Sequence, residues 1–390
     1  MALIPITYSL RSLAARKTTT IASALGIGLV VFVFASAFML KQGIHQALGQ
    51  SGRSDIAVVL SKGGESEMGS NIDIPTVSLI LASPGVKRDA NGLGLGVGEL
   101  VVVAAMEKIG FDGVSNVQIR GVPPESMAFR PEIRIVAGKP AQPGTAEVII
   151  GERIRGRFKG LDLGQSFELR RNRPVTVVGV FSADDSSYES EVWGDIDHVR
   201  ESFGRQGIVS SVRVKLETPT KFDAFKAVIE QDKRLGLEAR TEPRFLEDQS
   251  EGTTWFITII GLLIAVFFAS GAMIGAMITM YAAVAHRMKE IGTLRALGFS
   301  RASILFSFIV EACLLAILGG IIGAVASLGM GFVKFSMMNF QTWSEIVFSF
   351  NPTPGILLGS MVAATIMGLL GGLFPAVRAA RVSPIKAMRE

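Results

Sequence analysis

Four long apolar runs divide the chain, at residues 18–40, 252–285, 302–333 and 354–377, and the stretch between the first two is polar and patterned quite differently. About 20 apolar residues in a helix cross the hydrocarbon layer of a bilayer, so each run predicts a transmembrane helix. Three of the four carry no charge, and the third carries only Glu311. The run at 252–285 would be roughly 51 Å long at about 1.5 Å per residue, against a layer of about 30 Å. It predicts either a helix that continues beyond the membrane or one that crosses at a tilt. The first run exceeds the apolar length of a leader peptide and is followed by no small-x-small site, which predicts an uncleaved signal anchor.

Residues 41–251 read as an α/β unit. Ile56–Leu60, Glu99–Met106, Val117–Val122, Glu147–Glu152, Ser166–Arg171 and Val175–Phe181 are strand-like runs bounded by turn residues. The last two form an expected hairpin across Asn172, Arg173 and Pro174. Pro75–Ala82 reads as a short helix closed by Ser83, Pro84 and Gly85. Phe222, Phe225, Val228 and Ile229 recur at helical spacing and predict an amphipathic helix over 221–234. Two lobes are expected, an outer β-rich one near 133–216 and an inner one built from both flanks.

Charge then sets the orientation. Lys and Arg cluster before the first run (Arg11, Arg16, Lys17), between the second and third (Arg287, Lys289, Arg295, Arg301) and after the fourth (Arg378, Arg381, Lys386, Arg389). The connection 334–353 offers only Lys334, balanced by Glu345. The positive-inside rule puts both termini and the 286–301 connection in the cytoplasm, with 41–251 outside. The net charge of +5 is thus a topology signal, and nucleic-acid binding is not expected. The single cysteine, Cys313, lies in an apolar run and excludes an internal disulfide. Together these give a membrane protein of four transmembrane α-helices, with a large α/β extracytoplasmic domain inserted between the first and second spans. Its expected parts are an amphipathic N-terminal helix 1–17, spans 18–40, 252–285, 302–333 and 354–377, the outer domain 41–251, a cytoplasmic helix 286–301, a short outer loop 334–353 and a tail 378–390.

The connection 286–301 is richer than a connector requires. Met288, Ile291, Leu294 and Leu297 recur every three residues, Glu290 and Arg295 lie off that stripe, and Gly298 supplies a helix stop. An amphipathic helix of this kind lies at lipid headgroups or docks into a protein, and pattern alone leaves both open.

Here a resemblance bears on the choice. "HRMKEIGTLRALGFSRASILFSFIVEACLLAILGGIIG", "FPAVRAARVSPIKAMRE" and "SLRSLAARKTTTIASALGIGL" resemble the core, closing and opening segments of MacB/FtsX-type ABC transporter permeases. The order of one span, a large outer insertion and three more spans is also that family's, and "AGKPAQPGTAEVIIGE" through "VTVVGVF" has its look. The resemblance implies a mechanotransmitting permease of the bacterial inner membrane. It implies a dimer, homomeric or heteromeric, with two cytoplasmic ATPases and, for efflux, a periplasmic adaptor and an outer-membrane channel. It implies that the 286–301 helix is a coupling helix in which Arg287, Met288, Glu290, Ile291, Gly292, Leu294, Arg295 and Leu297 meet the ATPase. ATP and Mg would then be bound by that partner, and no cofactor or metal by this chain. Efflux is the first expectation, lipoprotein or lipid extraction the second, and signalling to a cell-wall hydrolase the third.

The residues agree with a separate ATPase. The phosphate-loop pattern GxxxxGK[ST] is absent, and Gly138-Lys139 runs into Pro140. "GLGLGVG" at 92–98 lacks the lysine and is read as a flexible connection. No catalytic residues are expected of this chain. The pairs Gly271/Gly275, Gly319/Gly323, Gly355/Gly359 and Gly368/Gly372 let helices approach closely, for intrachain packing or dimer contact. Glu311 is an intramembrane acid with no acid or histidine in another span to pair with, which argues for a structural or coupling role over a proton relay. "ADDSSYESE" at 183–191 gathers four acids without calcium-loop spacing and reads as a solvated loop. His45, His198 and His286 are scattered and form no metal motif.

Overall fold

β-branched residues fill the middle of the outer segment, and in the computed structural model they form one extended sheet. The structure describes residues 11–382, apart from 12, 16, 49–51, 65, 111 and 340. Most of the N-terminal helix expected over 1–17, and the tail from 383 with Lys386 and Arg389, lie outside the described residues. The chain divides into two units. One comprises 1–42, 256–333 and 349–390, and the other 43–255 and 334–348.

The second unit is built on strands β1 (Ile56–Ser61), β2 (Ile72–Asp73), β3 (Gly96–Glu107), β4 (Val114–Val122), β5 (Arg134–Gly138), β6 (Glu147–Gly151), β7 (Ser166–Arg170), β8 (Arg173–Ser182), β9 (Glu191–Asp195), β10 (Ile208–Val209), β11 (Ser211–Lys215) and β12 (Leu237–Thr241). The main sheet runs β12-β1-β11-β3-β4-β9-β6-β8-β5, with β7 also on β8. Pairs β4–β9 and β6–β8 are parallel, and the other neighbours antiparallel. Three helices accompany it: α2 (Ile74–Ala82), α4 (Ile196–Phe203) and α5 (Phe222–Gln231), while α3 (Ser126–Phe129) is a single turn. The β7–β8 hairpin turns at Arg171 and Asn172, with Asn172 at φ 63°, a conformation that asparagine tolerates.

Three outer-segment readings change. β11 lies between β1 and β3, so the stretch 133–216 is not a self-contained lobe. "GLGLGVG" is not a slack connection, since Gly96 opens β3 beside β11. A Cβ on Gly96 would sit 2.6 Å from the Arg213 carbonyl, so the glycine permits the strands to approach. The acidic segment at 183–191 is not a solvated loop either. Tyr188, Glu189, Ser190 and Glu191 are buried in a short 3-10 turn and the start of β9. A helix period was not needed to bury them, and composition alone misled.

The first unit holds helices long and apolar enough to cross a membrane, four in all among the described residues. They are α1 (Lys17–Leu48), α6 (Glu242–His286), α8 (Arg301–Leu328) and α9 (Pro354–Ala380); between α6 and α8 lies α7 (Met288–Ala296). Helices α1 and α6 begin or end in the second unit. Glycines decide the packing of the bundle. A Cβ on Gly319 would lie 2.6 Å from the Ala24 carbonyl of α1, and Gly323 is as tightly held against Gly28 and Val31. Gly368 and Gly372 of α9 press on Ala316 and Ala312 of α8 in the same way. By contrast Gly271, Gly275, Gly355 and Gly359 have nothing within 4 Å of a would-be Cβ. One pattern therefore splits into intrachain contacts at Gly319 and Gly323 and open faces at Gly271 and Gly275.

The outer connection between α8 and α9 is more than a loop. Residues 334–338 and 345–349 form a hairpin, β13 (Lys334–Met338) and β14 (Glu345–Ser349), and 334–348 belong to the α/β unit. Glu345 reaches Lys108 at 2.5 Å, Arg153 donates to the Val347 carbonyl at 2.9 Å, and Asn116 donates to the Trp343 carbonyl at 2.8 Å. Burial would raise the Glu345 carboxyl, but hydrogen bonds from Lys108, Ser115 and Ser336 hold it below the usual carboxylate range.

Candidate coupling site and a buried ionic core

Helix α7 is held from within. Ile291 enters a core with Met280 and Val284 of α6, Ile304, Phe308 and Ala312 of α8, and Ala376 and Ala379 of α9. Gly292 is buried beside it. Arg287, the residue before α7, donates from Nε to Glu290 at 2.8 Å and from Nη1 to Glu311 at 3.1 Å, and its guanidinium lies over the Phe308 ring. Glu311 therefore has a partner, supplied by the connection rather than by another span. A buried acid on α8 and a buried guanidinium at the start of α7 fix one helix against the other. At the far end Arg295 donates to the Phe299 carbonyl at 3.0 Å, Gly298 takes φ 95°, and Ser300 caps α8 through the Ser303 amide.

The residues named for this helix thus divide. Arg287, Ile291 and Gly292 face the bundle; Met288, Leu294 and Arg295 are half-buried. Glu290 and Leu297 are exposed, Leu297 by 73%, together with Lys289, Thr293 and Ala296. The three-residue repeat ran through both surfaces, because a 3.6-residue helix turns such a stripe about its axis.

The α/β unit contains a charged cluster that sequence reasoning missed. Leu100, Ile119, Val192, Val212 and Val214 point into the aliphatic core. On the alternate positions stand Glu99, Arg120, Glu191 and Arg213, and they too are buried. Arg120 makes two bonds to Glu191, at 2.7 and 2.8 Å, and reaches Glu67 and Glu99 at 3.1 Å. Arg130 makes two bonds to Glu99, at 2.6 and 2.8 Å. Arg213 bonds Glu67 at 2.6 Å and approaches Glu242, the first residue of α6, at 3.5 Å. Ser126, Ser211, Gln118 and the Trp193 indole add hydrogen bonds to the carboxylates, and Tyr188 and Trp193 cover the guanidinium of Arg130. Burial alone would raise the Glu99 carboxyl; Arg130, Arg120 and Arg213 outweigh it and hold it down at about 2. Glu67 is driven well below the carboxylate range by the same opposition, with Arg120 and Arg213 prevailing. Ordinary strand alternation would put this face in water. It is covered by residues distant in sequence: 66–70, 126–130, 187–190, the start of α6 and the 334–348 hairpin, whose Ser344 donates to Gln118 at 3.3 Å.

No group of His, Cys, Asp and Glu among the described residues could hold a metal ion. Residues 18–232 match the MacB-like periplasmic core domain, and residues 255–384 match the FtsX-like permease C-terminal domain. The chain is an ABC-transporter permease of the MacB/FtsX family. Like other members of this family it is a multi-pass membrane protein with a periplasmic-type domain between its first two spans. The macrolide export ATP-binding/permease protein MacB of Neisseria gonorrhoeae is 29% identical over 257 residues, covering 62% of this chain and 38% of that protein. MacB of Burkholderia thailandensis is 32% identical over 259 residues, covering 62% and 37%. The chain thus spans well under half the length of these MacB relatives. Among solved structures, the periplasmic region of MacB from Actinobacillus actinomycetemcomitans matches at TM-score 0.37 and 10% identity, over 50% of this chain and 91% of that one. The extracellular domain of the ABC-type transporter YknZ matches at TM-score 0.35 and 16% identity, over 47% and 98%.

Proposed function

We propose that this permease couples ATP hydrolysis by a separate cytoplasmic ATPase to motion of its α/β domain, for efflux across the cell envelope. The observation that carries the reading is the mounting of α7. Arg287, Glu311 and Ile291 lock the helix to α8 and α9. Lys289, Glu290, Thr293 and Leu297 are left outward as a small charged surface with an apolar tip. A lipid anchor would bury its apolar side in the bilayer; here the most apolar position, Ile291, is used inside the protein. An outward face of mixed charge around one leucine suits a protein groove. ATP and Mg would be held by the ATPase, two permease copies would form the assembly, and an adaptor with an outer-membrane channel would complete the export path. Both termini would lie in the cytoplasm of a bacterial inner membrane.

One observation favours a second reading, extraction of a lipid or lipoprotein. Between α1 and α6 lies a cleft of about 410 Å³ lined by apolar and small residues, including Leu29, Val30, Phe267, Gly271 and Gly275. An acyl chain fits that lining. The test is to purify the tagged chain from native membranes in mild detergent and identify its companions by mass spectrometry. A phosphate-loop ATPase with an adaptor supports efflux, and an ATPase with a lipoprotein carrier supports extraction. Absence of any ATPase in every detergent rejects both.

A further inference from the structure

We propose that the α/β unit receives an extended, acidic strand of a partner protein in an open seam between β3 and β7. Each of these strands is paired on one side only over the residues concerned. β3 pairs with β4 along Leu100–Glu107, but its pairing with β11 stops at Glu99. β7 pairs with β8 alone. The two free edges border one cleft of about 650 Å³, whose walls are the consecutive residues 101–105 and 168–171. Consecutive residues line a cleft only where a strand presents its backbone edge, because a sheet face presents alternate ones.

Hydrogen-bond parity identifies the groups on offer. Val101 turns its N–H and carbonyl to this side, where Ser210 Oγ accepts from the N–H at 3.0 Å and donates to the carbonyl at 3.3 Å. Further along, the Glu107 carbonyl on the same side accepts from the Lys159 amide at 2.9 Å. Val103 and Ala105 lie between them with the same parity, and on this side neither has a partner among the described residues. Across the cleft the Gln165 carbonyl accepts from Val177 of β8, so Ser166 and Glu168 turn the other way, toward the opening. Proteins usually blunt such edges with proline, lysine or a bulge, and β3 has none of these between 101 and 106. Main-chain pairing along an exposed edge is a general mode of peptide capture.

Charge selects the occupant. Arg170 and Arg171 stand exposed on one wall, and Arg205 lies at the rim, against a single acid, Glu168. Arg170 lies over the Phe203 ring, and among the described residues no carboxylate pairs with it or with Arg171. A second copy of this chain fits less well, because neither outer strand of its main sheet is net acidic: β5 carries Arg134 and no acid, and in β12 Glu238 is paired with Arg240.

The test uses the full chain in native envelopes, with the photo-crosslinking residue p-benzoylphenylalanine in place of Glu168. Ala105→Pro blocks the opposite edge. Its lost N–H faces the seam and not the β4 ladder, so the sheet keeps its bonds; an unchanged thermal transition verifies this. The expected result is an adduct whose crosslinked segment is strand-length and net negative. Its yield should fall at least about tenfold both with Ala105→Pro and with the double change Arg170→Glu, Arg171→Glu, as loss of edge pairing and of charge attraction requires. The proposal is overturned by no adduct, by a neutral or basic segment, by a segment of this same chain, or by a yield that Ala105→Pro leaves intact. None of these outcomes depends on which ATPase the permease binds.

Discussion

Glu99→Gln removes one negative charge from the middle of the ionic core and nothing else of comparable size. The carboxylate accepts two hydrogen bonds from Arg130 and one each from Arg120, Arg213 and Ser126. All three guanidiniums are about 1% exposed and find no replacement in water. An amide offers one acceptor oxygen and turns its NH2 toward those donors. Breaking a buried ion pair on one side costs about 3–5 kcal/mol, mostly the desolvation of the orphaned partner. For a unit of about 150–250 residues each kcal/mol moves the melting temperature by roughly 2–4 °C, which gives a drop of about 6–20 °C. The assay is tryptophan fluorescence on heating the full chain in detergent. Trp193 is the useful reporter, being fully buried and bonded to Glu191 at 2.8 Å. Glu168→Gln, at an exposed site, is the control and should stay within about 0.5 kcal/mol. A Glu99→Gln shift below about 2 °C would mean that the cluster tolerates an unpaired buried guanidinium and that the ion pairs do not hold the unit together.

The same cluster predicts acid behaviour. With Glu99 held at about 2 in the fold and near 4.3 unfolded, its contribution is complete above about 4.3 and is lost as pH falls toward 2; a melting temperature that rises on acidification through this window would contradict it. Arg287→Met takes a buried partner from Glu311 and should lower the melting temperature, and per folded molecule it should cut permease-stimulated ATP hydrolysis by about tenfold, roughly 1.4 kcal/mol of coupling, in a reconstituted assay; unchanged stimulation would remove the role assigned to the Arg287–Glu311 pair. Gly323→Leu should collapse the yield of folded protein, whereas Gly271→Leu should leave the monomer's melting temperature within about 1 °C and act, if at all, on assembly; size-exclusion chromatography with thermal melting separates the two. Leu297→Asp should abolish ATPase co-purification without affecting membrane insertion, and retention of the ATPase would move the docking surface elsewhere.

What the sequence made legible follows period and hydropathy. The four apolar runs could only be satisfied as helices in a bilayer, and the family segments around Arg287 and Pro375 were specific enough to give the class. Period also served the strands. It failed where burial depended on residues far apart in the chain. Glu99, Arg120, Glu191 and Arg213 looked like a solvent face because nothing local shows that 187–190 and 334–348 cover them. The same limit hid the Arg287–Glu311 pair, which joins a connector to a span 24 positions away. The small-residue pairs were equal in sequence and unequal in space, since a glycine motif records only that close approach is allowed.

The proposed function requires that ATP bound by the partner ATPase move the α/β unit. The most direct measurement places a spin label at Val228, exposed on α5, in a chain with Cys313 replaced by alanine, and reads label-to-label distances across the reconstituted assembly with its ATPase. Distance distributions should differ between the nucleotide-free and the ATP-bound, hydrolysis-blocked states, and should no longer differ in Arg287→Met. Identical distributions in every nucleotide state would contradict the proposed function.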